Sequence, residues 1–475
     1  MKKIWIAVIA IILIIGGFII LNIFDVTSLE ESKLPIIEEG HQELIEDSFK
    51  KNAKVRRDKD LSFRERMQKA DILAQDNYTT LAIKEYSLAS QDEPKKSDPY
   101  LKIGIIHFNN NLFQKAKQNF EQALYLSPKS FEIQLYLGRT LLKMNEIDAA
   151  RDVLEHLTED NQASKFYQGM LYSYLDQDKD AKECFAKAIE INTTDDITEK
   201  AQTFLDAYIE FELTEGGQLL YKKTLLARGF TQAGEYYLAI PFLHDALKEK
   251  SDYRDAWILL GYSYLKLEEY FEAKDSFMEA YNLDPEKSEI SYFLGLTYFG
   301  LNQLEDSIRN LEIAISNGFK PKIQILQKLA EIYLLNKNYE QAALSYTQIL
   351  EINNDDITFY IRPIWIYLEH LQRADKALEL GNEAVAYHPT QAMSFNLRGW
   401  ANLSANDLKA ARADLEQAIT LDSKLDAVYL NLGQLYEKEG KINLAKDTYR
   451  KAFDLSQEGS AVGNLSAKKY NALIN

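Results

Sequence analysis

Residues able to do covalent or metal chemistry are present in this chain, but they are scattered. Its six histidines show no H-E-x-x-H or comparable metal-ligand spacing. His107 and His244 fall inside amphipathic helical stretches, where a structural role is expected. The carboxylate pairs Glu268-Glu269 and Asp355-Asp356 fall at turns, the ordinary place for solvated acid. Gly216-Gly217 has no strand before it and no Gly-Lys-Ser after it, so it reads as a helix stop and not as a phosphate loop. Cys184 is the single cysteine, which excludes an internal disulfide and any cysteine-based metal site; beside Phe185 it reads as a buried filler. No catalytic, cofactor or metal residue is expected, and the chain is not read as an enzyme. What the sequence offers instead is non-covalent docking, in which aromatic anchors supply contact area and interspersed cations and amides set orientation. The residues placed to do this are Phe108, Arg139, Phe166, Tyr174, Arg228, Tyr262, Tyr292, Phe299, Phe359, Arg362, Asn396 and Trp400.

A repeat must position them. RDAWILLGYSY begins at Arg254, FEIQLYLGRTL at Phe131, SDPYLKIGIIH at Ser97, SEISYFLGLTY at Ser288 and DAVYLNLGQLY at Asp426. With the first residue of each taken as position 1, glycine recurs at position 8 and alanine or serine at position 20. Eleven copies start at 63, 97, 131, 162, 220, 254, 288, 323, 358, 392 and 426, spaced by 34 or 35 residues apart from 31 before the fourth and 58 after it. Positions 4, 7, 8 and 11 share one helical face, as i, i+3, i+4 and i+7 do; positions 20, 24 and 27 form a second stripe. In the copy at 254 these are Trp257, Leu260, Gly261 and Tyr264, then Ala273, Phe277 and Ala280, and Asp284-Pro285 ends the second helix. Neither helix buries its stripe alone, so the copies must stack. The docking residues stand at positions 2, 5, 9, 12 and 13, the stripe of the first helix that stacking leaves open.

This pattern resembles the tetratricopeptide repeat family, whose signature the copy at 254 matches at Trp257, Leu260, Gly261, Tyr264, Ala273, Phe277, Ala280 and Pro285. The copies at 63, 220 and 358 depart from it in their first helix, with Pro363 and Trp365 at positions 6 and 8 of the last of these. The resemblance implies an all-α fold, an α-solenoid of about eleven hairpins forming a right-handed superhelix with a concave groove lined by the first helices. The family's carboxylate clamp is not met: positions 5 and 9 of the first three copies carry Met67, Leu101, Leu135, Asp71, Ile105 and Arg139. Apolar peptide segments suit this groove better than a C-terminal acid.

The rest of the chain frames the array. Hydrophobic residues at 46% and aromatics at 12% belong to an ordered protein, and a formal charge of −17 argues against nucleic acid as partner. Ile4 to Phe24 carries no charge, and as a helix it spans about 31 Å, the thickness of a bilayer core. No small-x-small cleavage site ends the run, which favours an uncleaved anchor over a signal peptide. Lys2 and Lys3 precede it while Asp25, Glu30, Glu31, Glu38 and Glu39 follow, so the N-terminus is expected in the cytoplasm and the repeats outside it, with cytoplasmic repeats as the alternative. The expected organisation is a cytoplasmic N-terminus and anchor at 1–24 (span 4–24), a polar linker at 25–62, repeats at 63–196, an extra helix at 197–219, repeats at 220–459 and a capping tail at 460–475. The extra helix carries an apolar stripe of Ile197, Ala201, Phe204, Leu205 and Tyr208, and divides the repeats into two blocks; Leu465, Tyr470 and Leu473 would cap the last repeat.

These readings converge on a single-pass cell-membrane protein that docks partner polypeptides for complex assembly, secretion or envelope protein handling. Its partners are proteins or peptide segments, with itself included, and neither nucleic acid nor a small-molecule substrate is expected. A self-assembling membrane oligomer is the alternative.

Overall fold

The computed structural model describes residues 61–474 apart from 76–77, 215–218 and 458–459. The anchor at Ile4–Phe24, the linker up to residue 60 and the helix stop at Gly216-Gly217 lie outside the described residues. Among those described, no helix is long and apolar enough to cross a membrane. They form 24 α-helices and no strand. Eleven hairpins account for 22 of these, so the helix count exceeds what the hairpins alone require; the other two are a single inserted helix and a terminal one.

The helices fall into two compact units. The first, described over 61–285, contains six hairpins: α1 (Phe63–Gln75) with α2 (Thr79–Asp92), α3 (Asp98–Asn109) with α4 (Phe113–Leu126), α5 (Phe131–Lys143) with α6 (Ile147–Leu154), α7 (Gln162–Tyr174) with α8 (Asp178–Ile191), then, beyond the inserted α9 (Asp195–Leu213), α10 (Leu219–Gln232) with α11 (Tyr236–Glu249) and α12 (Arg254–Lys266) with α13 (Tyr270–Leu283). The second unit, described over 286–474, contains α14 (Ser288–Gly300) with α15 (Leu304–Ser316), α16 (Lys322–Leu335) with α17 (Tyr339–Ile352), α18 (Thr358–Trp365) with α19 (Ala374–Tyr387), α20 (Ala392–Ser404) with α21 (Leu408–Leu421), α22 (Asp426–Lys438) with α23 (Ile442–Leu455), and the terminal α24 (Ala461–Ala472). The short α6, 8 residues long, explains the 31-residue spacing before the fourth copy.

The same contact closes seven of the eleven hairpins. Wherever position 8 is glycine, the side chain at position 24 lies against it. A Cβ on Gly104 would stand 2.5 Å from the Phe120 ring, and one on Gly433 would stand 2.5 Å from the ring of Tyr449. Gly138, Gly169, Gly261, Gly295 and Gly399 face Leu154, Phe185, Phe277, Leu311 and Leu415 in the same way. The helices therefore cross at a distance that only a residue without a side chain permits.

A second rule governs the turn between the helices. Position 15 is left-handed in ten copies: Asn111, Asn145, Asp176, Gly234, Glu268, Asn302, Lys337, Gln372, Asn406 and Gly440. The following amide donates to a carbonyl five residues back, as Glu269 N does to Tyr264 O at 2.9 Å and Lys441 N to Tyr436 O at 2.8 Å, the closure of a helix C-terminus by a left-handed residue. The copy at 358 departs from this. Pro363 lies inside α18, which continues as a π-helical turn over Ile366–His370, and Arg373 N reaches six residues back to Tyr367 O at 2.8 Å.

The inserted helix α9 is held inside the first unit and does not mark the division between the units, which falls after Pro285. Its expected stripe is present, with Ala201, Phe204 and Tyr208 buried together with Ala207, while Ile197 and Leu205 are half-buried. Phe204 stacks on Phe185 of α8 (4.7 Å, 7°) and meets Phe230 of α10 edge-on (5.1 Å, 75°), so the core runs through α9 without a break. The side chain of Gln162 clamps the start of α9, accepting from Thr194 N at 2.8 Å and donating to Thr198 Oγ1 at 2.8 Å. At the C-terminal end, α24 buries Gly463, Ser466 and Ala467 and packs with Tyr470 and Leu473; Leu465, expected to face the last repeat, is 40% exposed instead because it lies on the opposite side of the helix.

The left-handed turn gives a direct test. Lys337 holds φ at 55°, where a side chain costs energy that glycine avoids. Lys337→Gly should raise the stability of its unit by about 0.5–1 kcal/mol, seen as a later urea midpoint with an unchanged slope; a lower midpoint would contradict the turn rule.

Candidate docking surface

The twelve docking residues do not share one fate. Five are buried: Phe108, Phe166, Tyr262, Tyr292 and Asn396. Phe166 packs edge-on to Tyr167 and Phe204, the latter brought by α9. Tyr262 meets Tyr236 edge-on, and Tyr292 stacks on Phe319 from the loop after α15, at 4.3 Å. The Tyr292 phenol is accordingly pushed far up by burial. The Asn396 side chain is committed inside the second unit, where its Oδ1 accepts from Asn431 Nδ2 of α22 at 2.9 Å and links consecutive first helices. These five correct the sequence reading: Phe108 and Asn396 meet the next first helix at Tyr136 and Asn431, whereas Phe166, Tyr262 and Tyr292 are covered by Phe204 of α9, Tyr236 of α11 and Phe319 of a loop. Arg228 is corrected for another reason: Glu210 of α9 neutralises it at 3.2 Å, and the same carboxylate accepts from the Tyr221 hydroxyl.

Six remain half-buried: Arg139 and Tyr174 in the first unit; Phe299, Phe359, Arg362 and Trp400 in the second. In the second unit, cations lie over rings. Lys328 Nζ stands 4.3 Å from the Phe299 ring centre, and the Arg362 guanidinium 5.9 Å from that of Trp365. Phe359 and Trp400 pack at the margin of the core built by Tyr360, Ile364 and Leu397. Cations in such positions keep their hydrogen-bonding capacity while the rings fix their place.

In the first unit, Arg139 is enclosed by three rings. Its guanidinium carbon lies 4.9 Å from the centre of Phe108, 5.2 Å from Tyr136 and 5.2 Å from Tyr167. Burial raises the Tyr167 phenol to about 12, against the opposing pull of Arg139, so the phenol is neutral at physiological pH. Tyr136 and Tyr167 both stand at position 6, which the sequence reading did not treat as part of this face. Reading position 6 together with position 9 of neighbouring copies would have found the enclosure.

The sequence also did not show that α9 turns the next hairpin back onto this face. The turn between α10 and α11 sits against α5: Lys143 donates to the Gly234 carbonyl and pairs with Glu235 at 3.1 Å, across 91 residues of sequence in the first of these bonds. Glu235 is 5% exposed. Further along, Phe242 of α11 meets Tyr174 edge-on at 5.8 Å. The end of this face near Lys143 and Tyr174 is thus partly covered by the chain's own fifth hairpin. Among the described residues no group of three or more His, Cys, Asp or Glu side chains is arranged to hold a metal ion.

Comparison with known proteins agrees with the repeat. A family model described as a tetratricopeptide repeat matches residues 107–172, and a second of the same description matches 166–195, 255–287, 323–356, 394–425 and 427–458. The chain is 24% identical over 266 residues to Superkiller complex protein 3 of Homo sapiens, covering 51% of this chain and 17% of that protein. It is 26% identical over 381 residues to the DnaJ protein P58IPK homolog A of Oryza sativa subsp. japonica, covering 80% and 67%. The chain spans only 17% and 23% of the human and mouse Superkiller complex proteins. Among solved structures, yeast Tom70 aligns over 87% of this chain and 95% of its own at 14% identity, with a TM-score of 0.30.

The Lys143–Glu235 pair can be tested as the latch of the covering turn. Lys143→Met leaves the buried Glu235 carboxylate without its part-exposed cation and should cost about 1–3 kcal/mol, whereas the double change with Glu235→Gln should recover most of that loss. Thermal melts and hydrogen exchange over residues 233–242 report both effects; equal destabilisation by the single and double variants would exclude the pairing as the latch.

Proposed function

The chain belongs to the tetratricopeptide repeat family, and from that premise we propose that it is a membrane-anchored scaffold that docks segments of partner proteins on the first-helix faces of its repeats. The observation that carries this reading is the second unit's row of half-buried Phe299, Phe359, Arg362 and Trp400. Apolar rings left at the surface beside ring-held cations are the composition of binding hot spots. Superkiller complex protein 3 is by name a component of a complex, which is in keeping with a scaffold. The docking residues are Phe299, Phe359, Arg362 and Trp400 in one unit, and Arg139 and Tyr174 in the other. Docking needs no catalytic group, and the reading includes no enzyme activity.

Anchoring rests on Ile4–Phe24, an uncharged run of bilayer length, with the repeats held on the side of the membrane opposite Lys2 and Lys3. Confinement at the membrane would raise the effective concentration of partners that share it. Assembly, secretion and envelope protein handling are the processes this arrangement serves.

Two measurements test the proposal. Photoreactive residues at Phe299 and Trp400 should capture the same polypeptide, and that polypeptide once purified should compete with its own capture; Tyr125, 80% exposed on a second helix, should capture none. Capture at Tyr125 alone would remove the docking face. Separately, a C-terminal reporter active only in the cytoplasm should stay silent, and a strong signal would reverse the orientation.

A further inference from the structure

We propose that Arg139 and its ring enclosure form a receptor for a carboxylate side chain, so that the first unit selects partner segments carrying Asp or Glu next to apolar residues. The inference rests on the docking reading and specifies the partner chemistry of one of its faces. Its basis is an imbalance at Arg139. The guanidinium is half-buried and surrounded by Phe108, Tyr136 and Tyr167 at 4.9 to 5.2 Å, yet it makes no ion pair or hydrogen bond among the described residues. The chain is rich in acid, with 72 Asp and Glu against 55 Lys and Arg, so an unpaired arginine is not forced by any shortage of carboxylates. Glu235, the carboxylate that the covering turn brings to this face, pairs with Lys143 one helical turn beyond Arg139, and not with Arg139 itself.

The enclosure is also rigid. Tyr136 stacks on Phe120 of the hairpin core at 5.4 Å, and Phe108 meets Tyr136 edge-on at 5.9 Å. Rings attract the charge of a guanidinium without accepting ordinary hydrogen bonds, so its N–H groups are not taken up by carboxylates or carbonyls. A planar fork of donors fixed in this way matches a carboxylate, which accepts two parallel bonds. The aromatic surround gives the neighbours of that acid an apolar seat. A lysine would supply charge but not the fork, so the site is specific to arginine.

Selection from a dodecapeptide library by the full chain in detergent micelles tests the assignment. Peptides recovered by the unaltered protein should be enriched in Asp or Glu beside Leu, Ile or Phe, and Arg139→Gln should abolish that enrichment. For a recovered peptide, Arg139→Gln should weaken binding roughly tenfold or more, and Arg139→Lys should weaken it by less. Replacing the peptide's acid by its amide should weaken binding to the unaltered protein to a similar degree, with no further loss in Arg139→Gln. Recovered peptides without acids, or an equal enrichment with Arg139→Gln, would overturn the carboxylate assignment while leaving docking intact. Recovery of no peptide by any variant would overturn both. If the unaltered protein is a dimer that Arg139→Gln dissociates, a second copy fills the enclosure and the assignment to a partner is overturned.

Discussion

The closeness of two helices at one point governs this molecule. With glycine at position 8, the side chain at position 24 reaches the backbone of the first helix, and nothing larger than hydrogen fits between them at Gly104 or Gly433. That approach closes the space between the helices of a hairpin, so the large residues of each stripe are consumed within it or against the next copy. It also determines what is left over. A first helix whose one side is bound to its own second helix, and whose flanks meet the preceding and following first helices, keeps only a narrow strip for anything else. Aromatic side chains on that strip become core or surface according to how their neighbours lie.

The inserted helix shows what happens when the pairing is broken. Helix α9 has no second helix of its own, yet Phe204 carries out the position-24 role from outside, lying against Gly229 of α10 as well as Phe185 of α8. The substitution is not in register, because Gly229 stands at position 10 of its copy and not at position 8. The hairpin that follows is joined by Lys222, which reaches both Asp176 at 2.8 Å and Asp178 at 2.7 Å, and its turn lands on α5. One unpaired helix thus accounts for both the continuity of the core and the partial covering of the face near Lys143.

The fold was legible because hairpin packing demands particular residue types at fixed offsets, and a period of 34 residues repeated eleven times has no competing explanation. The inserted helix was legible for the same reason, from its own stripe. Individual docking residues were less so. Positions 5 and 9 serve both the open strip and the seam between first helices, and sequence offset alone does not separate Trp400, which stays at the margin, from Tyr262, which is buried. Tyr292 is covered by Phe319, a residue of a connecting loop with no fixed offset, and Arg228 is neutralised by a carboxylate from the insertion. The left-handed turn at position 15 was missed because Glu268, Lys337 and Gln372 give no sign of it, although the asparagines and glycines at the same offset do.

Two ways of holding a cation recur on the first helices. Arg228 and Arg139 both occupy position 9 of a first helix. Arg228 meets Glu210, and a cation already paired with a carboxylate must lose that partner before it can gain another, so it contributes little to a new contact. Arg139, Arg362 and Lys328 lie over rings, which hold the charge without occupying all of its donors. Lys328 is intermediate, since Glu331 also accepts from it at 2.6 Å. On the proposed docking reading, cations on the first-helix strip that are fixed by aromatic faces are the ones left to orient an incoming chain, which ties the aromatic content of this face to its cations as well as to its contact area.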